Sequence, residues 1–303
     1  MSKARIKRST RDILPDTVLG NLMDLESVRR ITTIIYGRSM TGKTLLTIYE
    51  AARLAKLYGG GVLVYTSEPN YVVQSTYNAI KGILEAFKVK YEIKFEESAE
   101  KLSMELFKLT RELKDDRESF LADEKDINKW TPLWRVVVVD SLGSLAASEE
   151  DHMSYFMRRY ARSRSSSITP VLARVVRNVS RFAAEAYGWG FAIAHASSTA
   201  GTGLYEGLVE YKPSFTEKAI HYSGSLVWLA SPKDFPENVK SKVVKMGKRL
   251  KDVKMAVLVM HRTGGVGKGI VFEFREENSG DTKYPKPNPL FSVEYQHEEE
   301  EMI

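Results

Sequence analysis

The sequence predicts an α/β fold in which a mainly parallel β-sheet is flanked by helices and extended by antiparallel strands near the C-terminus. Three observations predict it: short apolar runs rich in β-branched residues, longer segments of helical periodicity between them, and a glycine-rich loop that joins the first run to the first helical segment. Apolar runs without polar alternation are typical of parallel strands covered on both faces. Their alternation with helices favours a parallel sheet.

The individual elements follow in chain order. Residues 1–30 are interpreted as an N-terminal arm, residues 31–290 as the core and residues 291–303 as an acidic tail. Buried strands are predicted at Ile31–Tyr36, Val62–Thr66, Arg135–Val139 and Phe191–Ala194. Helical periodicity marks Lys43–Leu57, Val72–Phe87, Ser98–Leu113 and Pro170–Tyr187. For the last helix, Thr169 suits the N-cap, Pro170 the first turn and Gly188 the stop.

From about Ser225 the pattern changes to strands separated by short turns. The segments SLVWLA, MAVLVMH and GIVFEF are predicted strands, and RTGGVGK joins the last two. Short connections of this kind join antiparallel strands. We therefore expect these strands to be added in antiparallel fashion at the sheet edge. The segment Lys233–Lys254 is rich in lysine and is expected to be exposed.

The composition excludes several classes of site. The chain has no cysteine, so disulfides, zinc–thiolate sites and cysteine nucleophiles are excluded. No run approaches 18 uninterrupted apolar residues, and no apolar stretch follows the basic N-terminus, so we expect neither a transmembrane helix nor a secretory signal. The sequence therefore favours a cytoplasmic protein that does not enter a membrane.

The overall charge favours a polyanionic partner such as nucleic acid. The 303 residues carry a formal net charge of +6, despite the acidic run at residues 298–301. Glutamine occurs only at Gln74 and Gln296, whereas lysine and glutamate are abundant, a pattern that favours a thermophilic source.

The strand ITTIIY leads into the complete GxxxxGK[ST] pattern, followed by a helical segment. Glycines at these positions let backbone N–H groups turn inward around phosphates, and the helix N-terminus adds its dipole. Lys43 supplies a positive charge, and the Thr44 hydroxyl is a ligand for Mg²⁺. The sequence therefore predicts an ATP-binding loop formed by Gly37, Arg38, Ser39, Met40, Thr41, Gly42, Lys43, Thr44 and Leu45.

A candidate carboxylate ligand for Mg²⁺ lies within the run WRVVVVDSLGSL. Four valines place Asp140 at the carboxyl end of a buried strand, where open α/β sheets bind ligands. Because such an aspartate helps to hold the metal in phosphate-loop proteins, Asp140 is predicted to hold Mg²⁺ together with Thr44.

These motifs, in this order, resemble the RecA/RadA-type recombinases and their KaiC-like relatives. The resemblance covers roughly residues 15 to 277 and rests on Ile31–Tyr49, VLVYTSEPNY, VVVVDSLGSL and GFAIAHAS. It implies a RecA-like P-loop NTPase core with ATP and Mg²⁺ as cofactors. It also implies an ATPase that works on DNA, as a homo-oligomer or with a partner recombinase, often with ATP between subunits.

The resemblance assigns roles to three further residues. Glu68, just past VLVYT, stands where the family places the glutamate that polarises the attacking water. Glu68 and Lys43 are therefore the expected catalytic residues. His195 stands where recombinases carry a glutamine that senses the γ-phosphate. Arg262 lies near the position from which relatives extend a basic finger toward the neighbouring subunit's ATP.

The family's first DNA-contacting loop corresponds to a basic stretch here. Its arginines, with a tyrosine and several hydroxyls, suit contact with the phosphates of single-stranded DNA; they are Arg158, Arg159, Arg162 and Arg164. The alternative for this stretch is a solvated basic face. The second loop corresponds to Ser197 to about Tyr222.

The sequence departs from that of full recombinases in two features. It has no room for the helix-hairpin-helix domain that precedes full recombinases, and its N-terminal arm has no polymerisation motif. An archaeal RadA paralogue, accessory to recombination or repair, therefore fits better than a strand-exchange protein. Two alternatives stay open: a KaiC-like ATP switch that acts on protein partners, and a helicase-like DNA motor.

Overall fold

The computed structural model describes residues 17–68, 74–146, 168–198, 211–213, 217–262 and 266–294. Within these ranges the helices are α1 Val18–Leu22, α2 Lys43–Tyr58, α3 Gln74–Ala86, α4 Ala99–Asp123, α5 Ile168–Glu185, α6 Glu217–Ile220 and α7 Glu237–Lys245. The strands are β1 Thr32–Gly37, β2 Gly61–Thr66, β3 Tyr91–Phe95, β4 Trp134–Asp140, β5 Trp189–Ser198, β6 Tyr211–Pro213, β7 Ser223–Ala230, β8 Val253–His261, β9 Lys268–Ser279 and β10 Thr282–Glu294. None of these helices is long and apolar enough to cross a membrane.

The strands form one mixed sheet in the order β10-β9-β8-β7-β1-β5-β4-β2-β3, with β6 paired to β5. From β3 to β7 the neighbouring strands on this path run parallel, whereas β8, β9 and β10 are added in antiparallel fashion. The predicted fold class, a mainly parallel sheet flanked by helices with antiparallel C-terminal strands, is therefore confirmed.

One strand differs from the prediction. The segment SLVWLA was expected to be antiparallel, but it belongs to β7, which pairs parallel to β1 and only then receives β8 in antiparallel fashion. The helix α5 also begins at Ile168, so Thr169 lies inside the helix and not at its N-cap. The sequence analysis ended the parallel part of the sheet one strand too early. The strand β7 follows a long connection without a strong helical pattern, so nothing marked β7 as a further parallel strand.

Each central strand contributes side chains to two hydrophobic cores, because its side chains alternate between the two faces of the sheet. In β1, Ile34 and Tyr36 pack on the face covered by α4, α5 and α7, whereas Ile35 packs on the opposite face with α1, α2 and α3. This two-sided burial explains why the predicted strands are continuous apolar runs rather than alternating ones.

Near the amino ends of these strands, Arg135 is 4% exposed, and among the described residues no carboxylate pairs with it. Its guanidinium donates to five backbone carbonyl groups, at distances of 2.8 to 3.4 Å, that belong to Tyr58, Gly59, Trp130, Ala186 and Tyr187. Two of these partners lie at the C-terminal ends of α2 and α5, where helix carbonyls are left without intrahelical partners. Burial lowers the pKa of Arg135 to about 10.

The hairpin of β9 and β10 folds back over α3. Tyr284 of β10 and Tyr49 of α2 both contact the ring of Phe87 edge-on, with centroid distances of 6.1 and 5.3 Å. The hydroxyl of Ser279 also donates to the carbonyl of Ala86 at the end of α3. The last strands of the chain therefore pack against the helices that follow β1 and β2.

Candidate phosphate-binding site

The carboxyl ends of β1, β2, β4 and β5 meet at one edge of the sheet and surround a cavity of about 440 Å³. Because these parallel strands are neighbours, residues that are far apart in sequence converge there. The cavity is lined by Ser39, Met40, Gly42, Lys43, Thr44, Leu45, Glu68, Thr76, Asp140, Ser141 and His195. Most of the residues predicted for ATP and Mg²⁺ are therefore brought together; Gly37, Arg38 and Thr41 belong to the same loop but do not line the cavity.

Two glycines give the loop between β1 and α2 its course. Gly42 has a φ of 87°, and a Cβ atom there would lie 2.5 Å from the ring of Phe274 in β9. At Gly37 a Cβ atom would lie 2.4 Å from the carbonyl oxygen of Leu229. Side chains at either position would push the loop away from β7 and β9, so only glycine allows this close approach.

The helix that follows the loop begins without a side-chain cap. Its N-cap residue is Gly42, and no side chain accepts a hydrogen bond from the first turn. The N–H groups of such a turn are left to an external acceptor, and the helix dipole favours an anion there. Because residues 42–45 line the cavity, this end of α2 fits a phosphate group.

Lys43 is the main positive charge of the cavity. Its side chain is largely buried, and its ammonium group donates to the Arg38 carbonyl at 2.8 Å. Burial lowers the pKa of Lys43, whereas the nearby charges of Asp140 and Glu68 oppose that effect. The ammonium group is therefore placed between the backbone of the loop and two carboxylates.

Thr44 and Asp140 form the candidate Mg²⁺ ligands. The Thr44 hydroxyl donates to the Asp140 carboxylate at 2.6 Å, and Asp140 is 2% exposed at the end of β4. A hydroxyl and a carboxylate are the hard oxygen donors that Mg²⁺ prefers. Among the described residues no group of three or more His, Asp or Glu side chains could hold a metal ion alone. This pair fits Mg²⁺ only as an ion shared with phosphate oxygens, as in nucleotide sites.

Glu68 follows β2, lines the cavity and is held by three donors. Its Oε1 accepts hydrogen bonds from Ser141 Oγ at 2.6 Å and Ser144 Oγ at 2.7 Å, and His195 Nε2 lies 3.1 Å away. The hydrogen bond from His195, followed by those from the two serines, lowers the pKa of Glu68 to about 2, although burial opposes the effect. Glu68 is therefore an ionised acceptor at neutral pH.

His195 lies within β5, which extends to Ser198, rather than directly after the strand. Its Nε2 lies 3.1 Å from Oε1 of Glu68, and its side chain lines the cavity. Its role as a sensor of the γ-phosphate stays a prediction. Arg262 lies elsewhere. Its N–H donates to Gly224 at the start of β7, next to the β1 residue Thr32, whereas the phosphate loop follows the other end of β1. In its own chain Arg262 is therefore far from the cavity, and its role toward a neighbouring subunit stays a prediction.

The four arginines predicted to bind DNA, Arg158, Arg159, Arg162 and Arg164, lie outside the described residues. The described part of the second predicted loop includes β6, which pairs with the end of β5. The structure thus adds a strand to a segment for which the sequence showed no regular pattern.

Sequence reasoning missed three residues that shape the site. Ser144 contacts Glu68, Phe274 packs against Gly42, and Asp234 lies 3.6 Å from the guanidinium of Arg38. Asp234 also accepts hydrogen bonds from the backbone and hydroxyl of Ser231. Phe274 lies within β9 and Asp234 follows β7, both far from the loop in sequence, so no local pattern pointed to them. For Ser144 a signal existed in the repeated serines of DSLGS.

The solved structures to which this chain is similar include a recombinase and a helicase. The crystal structure of the RadB recombinase matches 88% of this chain and 94% of its own length, with 13% identity and a TM-score of 0.47. A DnaB-like replicative helicase, solved in a study of its interactions with primase, matches 83% of this chain with 15% identity and a TM-score of 0.47. The match spans only 57% of that helicase chain.

No protein-family model matches the sequence. No curated protein matches it either.

Proposed function

We propose that this chain is a Mg²⁺-dependent ATPase of the RecA/RadA type that binds DNA, preferentially single-stranded, and acts in homologous recombination or DNA repair. The observation that carries the proposal is the convergence of Lys43, the Thr44–Asp140 pair and Glu68 on one cavity at an uncapped helix N-terminus. Within this class we propose an accessory RadA paralogue rather than a strand-exchange protein.

Each group has a distinct part in ATP hydrolysis, in which a water oxygen bonds to the γ-phosphorus and the bond from that phosphorus to ADP breaks. Lys43 and the N–H groups at the start of α2 neutralise and orient the phosphates. Thr44 and Asp140 would help to hold Mg²⁺, which when bound would supply further charge neutralisation. Glu68 accepts a hydrogen bond from the water and orients it toward the phosphorus.

The charge state of Glu68 supports orientation rather than proton removal. With a pKa of about 2, its carboxylate is ionised and accepts hydrogen bonds, but it is a weak base at neutral pH. Orientation of the water suits a transition state in which the bond to the leaving oxygen is largely broken before the new bond forms.

The DNA-binding part of the proposal rests on the sequence. The net charge of +6 and the arginines at positions 158, 159, 162 and 164 suit a phosphate backbone. Arg262 lies far from the cavity of its own chain. We propose that it reaches the cavity of a neighbouring subunit in a homo-oligomer or in an assembly with a partner recombinase.

The test is steady-state ATP hydrolysis by wild type, Lys43→Ala and Glu68→Gln, with and without single-stranded DNA at two salt concentrations. We expect DNA to raise wild-type turnover, higher salt to weaken that increase, and both substitutions to abolish hydrolysis. Lys43→Ala is expected to weaken ATP binding, whereas Glu68→Gln is expected to bind ATP and fail to hydrolyse it.

Other outcomes select other functions. ATP binding with slow hydrolysis, no response to DNA and no DNA affinity would favour the ATP switch that acts on protein partners. Directional unwinding of a duplex would favour the helicase-like motor. Retained hydrolysis in Lys43→Ala would contradict the phosphate site itself.

A further inference from the structure

The turn that follows β4 places two hydroxyl groups on the carboxylate of Glu68. We propose that Ser144, together with Ser141, is a positioning residue that fixes the Glu68 carboxylate for water orientation; this rests on the proposed role of Glu68 in ATP hydrolysis. Both hydroxyls donate to the same oxygen, Oε1, at 2.6 and 2.7 Å. Hydrogen bonds of this length to an ionised acceptor are the strong, charge-assisted kind.

The turn is fixed by contacts that do not involve Glu68. The backbone N–H of Ser67 donates to the Asp140 carbonyl, and the Ser67 hydroxyl donates to the Ser141 carbonyl, both at 2.9 Å. Leu142 donates from its N–H to the Ile193 carbonyl at 2.8 Å, and its side chain is fully buried. The two hydroxyls are therefore held in place by β2 and β5 before Glu68 adopts its position, which is what preorganisation requires.

The arrangement leaves one carboxylate oxygen for the substrate. Oε1 is occupied by Ser141, Ser144 and His195, whereas no hydrogen bond to Oε2 occurs among the described residues. Three donors on one oxygen prevent rotation of the carboxylate, so Oε2 keeps one orientation at the cavity that Glu68 lines. A water bound to Oε2 would be held in the same orientation.

A variant without the Ser144 hydroxyl separates positioning from general stability. For Ser144→Ala we expect kcat to fall about tenfold with KM for ATP nearly unchanged, because one hydrogen bond to a charged group is lost while the phosphate contacts remain. Ser144→Thr, which keeps the hydroxyl, is expected to restore kcat. The matched control is Ser103→Ala, which removes a buried hydroxyl bonded to Asn178 on α4 and α5, away from the cavity.

The Glu68→Gln variant distinguishes failure of this proposal from failure of the proposed function. If Glu68→Gln is inactive and Ser144→Ala has the kcat of wild type, Glu68 keeps its role but Ser144 does not position it. If Ser144→Ala changes kcat and KM only in step with a lower melting temperature, the role is structural and the proposal is overturned. Wild-type hydrolysis in Glu68→Gln would overturn the role of Glu68 and the positioning proposal together.

A separate observation concerns the lysine-rich segment between β7 and β8. Residues 232–254 carry eight lysine and arginine side chains against three aspartate and glutamate, a formal excess of five in a chain whose net charge is +6. Val239 and Val243 of α7 are buried, and the exposed lysines on the outer side include Lys242 and Lys245, followed by Lys251. We infer that this face of α7 and the turn after it contact the phosphate backbone of nucleic acid.

Among the described residues these lysines lack carboxylate partners, which favours contact with a polyanion over a purely solvated surface. On α4, Lys108 and Lys114 each form an ion pair with a glutamate one turn later. Among the described residues, no carboxylate pairs with Lys242, Lys245 or Lys251, and the ammonium group of Lys242 lies 4.1 Å from the ring centroid of Phe291. The segment also begins beside the phosphate loop, because Asp234 pairs with Arg38.

The test compares two triple variants that remove the same charge. We expect neutralisation of Lys242, Lys245 and Lys251 to glutamine to weaken binding of a fluorescent single-stranded DNA at least tenfold. It should also reduce the slope of log affinity against log salt by about two. The control neutralises Lys101, Lys108 and Lys114 on α4. Equal losses in both variants, or no loss in the first, would refute a specific surface on α7. Absence of DNA binding by wild type would instead refute the DNA-binding part of the proposed function.

Discussion

Glu50 provides the sharpest test of the physical reasoning, because it is a carboxylic acid buried in the helix that carries the phosphate loop. It is fully buried, its Oε1 accepts a hydrogen bond from the N–H of Leu19 at 3.2 Å, and its Oε2 is buried without a hydrogen bond in the described residues. Burial raises its pKa from 4.5 to about 7, although the N–H of Leu19, the charge of Arg53 and the side chain of Thr17 oppose that effect.

The sign of the resulting pH dependence follows from proton uptake. Between pH 4.5 and pH 7 the folded chain keeps a proton on Glu50 that the unfolded chain has lost, so the free energy of unfolding falls as pH rises. Above pH 7 Glu50 is ionised in both the folded and the unfolded chain, and the full free-energy cost of burying its charge lowers the stability of the fold. At about 1.4 kcal/mol for each unit of pKa difference, the penalty amounts to about 3 kcal/mol.

The perturbation is Glu50→Gln, which keeps an acceptor for the N–H of Leu19 and cannot ionise. We expect it to match wild type near pH 5 and to exceed it by about 3 kcal/mol in the free energy of unfolding at pH 8. The assay is urea unfolding followed by tryptophan fluorescence at pH 5, 6, 7 and 8, with Glu112→Gln on the exposed face of α4 as control.

A difference between Glu50→Gln and wild type that does not change with pH would refute the reasoning. Lower stability of the variant at pH 8 would show that the ionised carboxylate is compensated, with Arg53 as the nearby cation.

Two further predictions concern the framework of the site. Arg135→Lys keeps the charge, but a lysine cannot reach five carbonyl groups. We therefore expect the free energy of unfolding to fall by about 2–3 kcal/mol and ATP hydrolysis at 25 °C to stay unchanged. Impaired hydrolysis in the folded variant would contradict a purely structural role for Arg135. Phe274→Ala removes the ring that packs on Gly42, so we expect KM for ATP to rise about tenfold in steady-state kinetics; an unchanged KM would show that the loop keeps its course without the ring.

The sequence predicted those parts of the fold in which local pattern and tertiary position agree. Residues in β1, β2 and β4 are buried on both faces and therefore read as continuous apolar runs. The strand β3 escaped prediction because it is not a continuous apolar run: its residues at the sheet edge are only partly buried or exposed. The strand β10 escaped because Pro285, Pro287 and Pro289 argue against a strand, yet prolines are tolerated on an edge where no further strand needs their N–H groups.

The candidate site divides in the same way. Gly42, Lys43 and Thr44 belong to one short motif whose spacing is set by a single loop, so the sequence alone assigned them. The contacts of Glu68 with Ser144 and His195 join the ends of three strands, and they depend on the order of those strands in the sheet. No local pattern contains that order.

The packing of Phe274 on Gly42 bears on when the phosphate site can form during synthesis. The loop lies between two residues contributed by distant parts of the chain, Leu229 of β7 and Phe274 of β9, and β1 itself pairs with β5 and β7. Contacts of such high sequence separation make folding slow, because long loops must close before the contacts are gained. A nascent chain that has emerged only as far as α5 would carry residues 37–45 without the later strands that shape the loop, and the candidate site would form late, with the final hairpin.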